Sequence, residues 1–288
     1  MRIFIVGATG VLGRAVVPAI VARGDTVVAL VRSKERAEAI AGPSVNLIEG
    51  DLLQLSAAEL EPILAGCDVV AHLATALRPG SPGLGTTNTN TALRTTGTRR
   101  LLDATLAASV PRYIQQSIAL AYVDGGDAWL DESTPFFQAE NGGAGQPVVE
   151  MEAMVTAIPP GRLQWVILRG GSFTGPDTRQ DDVIAGLRAG TLIVPGDGSN
   201  WVSFIHSDDY AAAIVASIYS QVSGVVLNVT DEPIRNGDYL DRLAAILKLP
   251  PPPRDLDAPL PRSYRCTSEP AKRLLGWAPT AGIWPTSI

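Results

Sequence analysis

Three glycines, Gly7, Gly10 and Gly13, stand at three-residue spacing behind the apolar run Ile3-Phe4-Ile5-Val6, within Gly7-Ala8-Thr9-Gly10-Val11-Leu12-Gly13-Arg14. A strand that turns sharply into a helix, brings its backbone close to a pyrophosphate and packs that helix tightly needs glycine at such points. The helix beginning there offers free N–H groups and the positive end of its dipole to phosphates. An ordinary glycine turn is the alternative. The place of this one, after a first strand and before a helix, favours a dinucleotide site built from Gly7, Thr9, Gly10, Val11, Leu12 and Gly13.

The second apolar run selects the cofactor. An NAD site usually ends this strand with an acid that holds the ribose 2′-hydroxyl. Here the run closes Ala29-Leu30-Val31-Arg32-Ser33, without an acid. Arg32 suits a 2′-phosphate, with Arg14 and Lys34 as nearby cations. NADP is therefore expected ahead of NAD, and Glu35 is the acid that a shifted register would supply.

These residues need a scaffold. Short β-rich runs at 2–6, 26–31, 45–49, 68–73, 112–116 and 164–168 alternate with amphipathic stretches at 11–23, 56–65, 91–108 and 148–157. Such alternation predicts an α/β fold: a doubly wound parallel sheet of Rossmann type. Beyond residue 170 the pattern loosens into Gly- and Pro-rich turns. A helix at 208–220, a strand at 225–229 and a helix at 238–249 follow. The expected organisation is an NADP-binding domain at 1–170, rejoined by 199–229. A smaller α/β substrate lobe is expected from 171–198 and 230–288, with the ligand between it and the carboxyl edge of the sheet.

Composition narrows the classes. The chain has 288 residues, 46% of them hydrophobic, enough for a large core, and a net charge of −6, unlike a nucleic-acid binder. Its two cysteines, Cys67 and Cys266, make neither a disulfide framework nor a CxxC site, which fits the cytoplasm. No window reads as a membrane span. His72 and His206 are the only histidines, so no zinc site is expected.

Further segments carry a resemblance. Gly50-Asp51-Leu52, Val70-Ala71-His72-Leu73-Ala74 with Thr75 behind it, Leu168-Arg169 through Gly175-Pro176, Phe204-Ile205-His206-Ser207-Asp208-Asp209 and Leu275-Gly276-Trp277-Ala278-Pro279 join the glycine motif. Together they resemble the extended or atypical short-chain dehydrogenase/reductase superfamily, which includes NAD-dependent epimerases and dehydratases. The resemblance implies Asp51 and Leu52 near the adenine, and Leu73, Ala74 and Thr75 along the cofactor.

The departures are informative. The family's chemistry uses a Tyr with a Lys four residues later, the Lys lowering the phenol pKa so that it can pass a proton. None of the six tyrosines here has that Lys, and no lysine lies between Lys34 and Lys248. On the helix that should carry the pair, Gln146 and Glu150 have the spacing without the chemistry. Setting Tyr122 on the tyrosine of the family's SSxxVYG segment places Ile118 at the hydroxyl position, with Ser117 one residue before it. Tyr122, Ser117 and Glu150 are thus the catalytic candidates. Asp131, Glu132 and Glu152 read as solvated acids. The family's motif asparagine is Ser172, and its diphosphate-binding arginine is Val202. Both argue against a nucleotide sugar, and the loop ending in Trp201 suits an uncharged or aromatic small molecule.

Three functions follow. The first is an NADP(H)-dependent oxidoreductase that passes hydride to an electron-poor acceptor. The second is a non-enzymatic NADP(H)-binding sensor or regulator. The third is a non-redox cyclase or lyase with Glu150 as base. Apolar helix faces leave a homodimer open.

Overall fold

The computed structural model describes residues 1–76, 88–137 and 145–285. Seven strands among the described residues form one parallel sheet: β1 (Arg2–Val6), β2 (Thr26–Val31), β3 (Val45–Glu49), β4 (Val69–His72), β5 (Arg112–Ile118), β6 (Gln164–Gly170) and β7 (Val225–Val229). Their order is β7-β6-β5-β4-β1-β2-β3. Most of these strands read as nearly continuous apolar runs because both faces are covered.

The helices among the described residues include α1 (Val11–Val21), α2 (Ala57–Leu64), α3 (Thr98–Ala107), α4 (Gln146–Thr156), α5 (Arg179–Ala189), α6 (Ser207–Tyr219), α7 (Asn236–Ile246) and α8 (Glu269–Leu275). Side chains alternate across the sheet. Ile3, Ile5, Ala71 and Ile114 pack with Val16, Ile20, Tyr210 and Ile214 of α1 and α6. Phe4, Val70, Tyr113 and Ile167 pack with Leu60, Leu101 and Val155 of α2, α3 and α4. Ser56 and Glu59 close a reciprocal capping box on α2. A third cluster, with Leu187, Val194, Tyr239 and Leu243, lies under α5 and α7, where Phe204 and Tyr239 stack with ring centroids 4.1 Å apart.

The chain leaves the β1-β2-β3 half and re-enters the sheet on the other side of β1, as β4. Loops after β1 and β4 therefore diverge and leave a crevice at the carboxyl ends of those strands.

Candidate functional site

The glycine turn lies in that crevice. Gly7 holds φ +91°, and a Cβ there would stand 2.6 Å from Ala74 N and 2.7 Å from the Leu73 carbonyl carbon. At Gly13 a Cβ would stand 2.3 Å from Ala8 O. Those two glycines serve close packing. Gly10 is different: a Cβ would meet only Gly7 O, at 3.3 Å. Gly10 is also the N-cap of α1, which has no side-chain cap and no acid in its first turn. The first-turn N–H groups thus have no side-chain cap, and no acid in that turn offsets the positive end of the dipole. Thr9 is exposed, Val11 half-buried, and Leu12 packs in the core. This cradle fits dinucleotide phosphates.

Around it stand the other expected cofactor residues. Arg32 is exposed just past β2, and among the described residues it has neither hydrogen bond nor ion pair; Lys34 and Arg36 beside it are exposed and free of ion pairs. Arg14 is already engaged, with Asp177 and with Thr9 O. Asp51 is half-buried and accepts from Leu53 N at 2.9 Å. Leu52 and Leu73 are buried, Ala74 half-buried and Thr75 exposed.

A buried polar network occupies the carboxyl ends of β5, β6 and β7. Ser117 donates to Glu152 Oε1 at 2.5 Å. Arg169 donates to the same carboxylate from Nε at 3.1 and 3.2 Å and from Nη2 at 2.6 Å. Its Nη1 donates to Tyr122 Oη at 2.7 Å and to Glu132 O at 3.0 Å. Tyr122 donates to Asn228 Oδ1 at 2.8 Å, and Asn228 N donates to Glu132 Oε1 at 2.8 Å. Burial pushes the Tyr122 phenol well above its ordinary range although Arg169 pulls it down, and burial raises the Glu132 carboxyl. The phenol is therefore a neutral, engaged hydroxyl.

Ser117 and Tyr122 are thus brought together, through Glu152 and Arg169. Glu150 is elsewhere. It is exposed on the outward face of α4, accepts from Gln146 Nε2 at 3.2 Å, and borders a groove with Thr95, Arg99 and Met154. The sequence alone does not single out Glu152, Arg169, Glu132 and Asn228 as site residues. Glu152 and Glu132 are not the solvated acids expected: Glu152 is buried, and Glu132 is half-buried. One signal was available, since Val148, Met151, Glu152 and Val155 fall on a single helical stripe, where an acid stands among apolar residues.

Beside this network, Tyr264 packs against the cluster that holds Tyr122, and its Oη lies 3.4 Å from Ser172 Oγ. Arg262 donates to Tyr122 O at 2.7 Å and sits 4.6 Å from the Phe137 ring centroid. The N-cap of α6 is His206, whose Nδ1 accepts from Asp208 N at 3.2 Å. Asp209 is buried and accepts from the backbone of Thr280 and Ala281. Among the described residues no cluster of His, Cys, Asp and Glu could hold a metal, and no helix is long and apolar enough to cross a membrane.

Sheet order, crevice and glycine cradle define an NAD(P)-binding Rossmann protein. More particularly, the chain belongs to the NAD(P)H-binding family, whose model matches residues 7–219. A 3-diazoavenalumate denitrifying reductase from a Streptomyces species is 34% identical over 302 aligned residues, covering 99% of this chain and 98% of that protein. A 4-hydroxy-2-methyl-3-oxo-4-farnesyl-3,4-dihydroquinoline-1-oxide ketoreductase from Stigmatella aurantiaca is 32% identical over 181 residues, covering 62% of this chain and 52% of that protein. A UDP-glucuronic acid 4-epimerase from Bacillus cereus in complex with NAD shares the fold, with a TM-score of 0.80 at 21% identity over 98% of this chain and 95% of that one.

Proposed function

We propose that the chain is an NADPH-dependent reductase of an electron-poor, aromatic small molecule, working without a tyrosine–lysine proton pair. The observation that carries this is the closed network around Tyr122, whose hydroxyl is buried and already bonded to Asn228 and Arg169. A phenol so held is a poor proton donor, so the reaction should need none. Reduction of an aryl diazo group meets that demand. Hydride brings an electron pair that forms the new C–H bond, the C–N bond breaks, and its pair leaves with dinitrogen. No proton is consumed. The full-length relative is named for a diazo substrate, for loss of nitrogen and for reduction.

Bound NADPH supplies the hydride. The chain's own residues hold and orient. The turn from Gly7 to Gly13 receives the diphosphate, Arg32 with Lys34 and Arg36 receives the 2′-phosphate, and Asp51 and Leu52 border the adenine. Leu73, Ala74 and Thr75 line the remainder. Arg169 and Glu152 fix the end of β5, where Ser117 and Tyr122 position the ligand rather than transfer a proton. The lobe formed by residues 171–198 and 230–285 covers the substrate with aromatic side chains. Two free, buried cysteines suit a cytoplasmic setting. A homodimer would use the outer faces of α3 and α4, and Ala153→Arg should then lower the sedimentation mass.

The test is a titration with NADPH and NADH, followed by NADPH oxidation with an arenediazonium salt or a quinone as acceptor. Arg32→Ala should weaken NADPH roughly tenfold or more, the worth of a charge-assisted contact, and spare NADH. Tight NADPH binding with no oxidation by any acceptor would instead favour the sensor.

A further inference from the structure

Between Asn88 and Ala107 one helical rod runs along the α2–α4 face of the sheet, and a π-helical turn, Leu93–Gly97, interrupts it. Such turns cluster at functional sites. A polar stripe on this rod, at four-residue spacing, is buried: Asn90, Arg94 and Thr98. Asn90 Oδ1 accepts from Ala76 N at 3.0 Å, and Thr98 Oγ1 lies 3.3 Å from His72 Nδ1. Arg94 therefore stands level with residues 73–75. That segment is the one against which Gly7 packs, so the rod carrying Arg94 runs behind the wall of the dinucleotide cradle.

Three arginines are buried among the described residues, and two are fully occupied. Arg112 binds the carbonyls of Ser217 and Val222, and Arg169 binds Glu152. Arg94 is only 5% exposed, yet among the described residues its guanidinium has no hydrogen bond and no ion pair. Burial lowers its pKa to about 10, and no acid acts on it. It remains a cation at neutral pH. Helix α4, where the family's lysine would stand, carries no cation at all. A charge left buried without a partner is unfavourable unless a ligand completes it.

We propose that Arg94 is an oxyanion-binding residue of the active site, its guanidinium taking either a phosphate oxygen of the dinucleotide or a carboxylate of the substrate. This rests on the cradle holding NADPH, as proposed above.

The experiment compares wild type with Arg94→Met and Arg94→Gln. It reads the NADPH Kd by fluorescence titration, the melting temperature without ligand, and benzoate binding to the NADPH complex as the carboxylate probe. Removing an unpaired buried charge should raise the melting temperature of the free protein by about 2 °C or more. The same change should weaken one ligand roughly ten- to hundredfold. A weaker NADPH identifies the phosphate as the oxyanion. Unchanged NADPH with weaker benzoate identifies the carboxylate. If benzoate does not bind wild type, the NADPH arm alone decides. Unchanged binding in both variants overturns the proposal. So does a lower melting temperature in both, because the guanidinium would then be holding the fold. A wild type that binds no NADPH refutes the reductase reading instead, and the ligand-free melting comparison still reports on Arg94.

Discussion

Gly10 and Gly13 belong to one motif but answer different physical demands. At Gly13 a methyl would overlap the Ala8 backbone, at 2.3–2.4 Å. At Gly10 it would meet one carbonyl oxygen, at 3.3 Å. Gly13→Ala should therefore destabilise the fold by about 1–3 kcal/mol or more, as overpacking does. Gly10→Ala should keep nearly native stability and lose NADPH affinity, because its methyl enters the space left for phosphate. Urea unfolding and NADPH titration of both variants separate the two roles, and equal losses of stability would refute the assignment. Tyr122 allows a similar separation. Tyr122→Phe leaves Asn228 Oδ1 without its donor, which should cost about 1–3 kcal/mol. It should leave kcat with a diazonium acceptor nearly unchanged. A collapse of kcat in a variant that still folds would make the phenol a proton donor.

At the scale of elements, β1, β2, β3 and β7 stand where the sequence predicts them: β1 and β2 are covered on both faces and announce themselves as apolar runs, while the edge strands β3 and β7 are short β-rich segments with a polar residue inside. Helix α3 was harder to delimit. Its rod begins at Asn88 rather than near residue 91 and passes through a π-helical turn, which no hydrophobic period marks. The glycine cradle was legible for a physical reason: steric need restricts those positions to one residue type. The network of α4 with β5, β6 and β7 was not, because burial of an acid depends on partners distant in sequence. Arg169 looked like a motif residue and Glu152 like a solvated one, yet each is the other's counter-charge. Glu152→Ala should then destabilise by about 3–5 kcal/mol, since it strands a buried guanidinium. Glu152→Gln combined with Arg169→Met should recover part of that loss. The check is urea unfolding of single and double variants, and strictly additive losses would mean that the pair is not coupled.

For the whole molecule, the polar groups enclosed beneath α3 set how stability follows pH. His72 is fully buried at the end of β4, beside Gln115, Thr98 and Tyr113, and burial lowers its pKa to about 4. The unfolded chain takes up that proton near the ordinary value of 6.5. As pH falls from 6.5 toward 4, protons bind the unfolded state and not the folded one, so stability falls by up to about 3 kcal/mol. Glu132 works the other way. Burial raises its carboxyl, so its protonation on acidification favours the folded state. The contribution of His72 is therefore read as a difference between wild type and His72→Gln, in which Glu132 is common to both. Between pH 7 and pH 4.5 the wild type should lose about 2–3 kcal/mol more than the variant in urea unfolding. Parallel pH profiles would mean that the imidazole takes up its proton inside the fold. The buried stripe next to Arg94 would then be more open to water than its burial indicates, and the unpaired guanidinium would need no ligand to complete it.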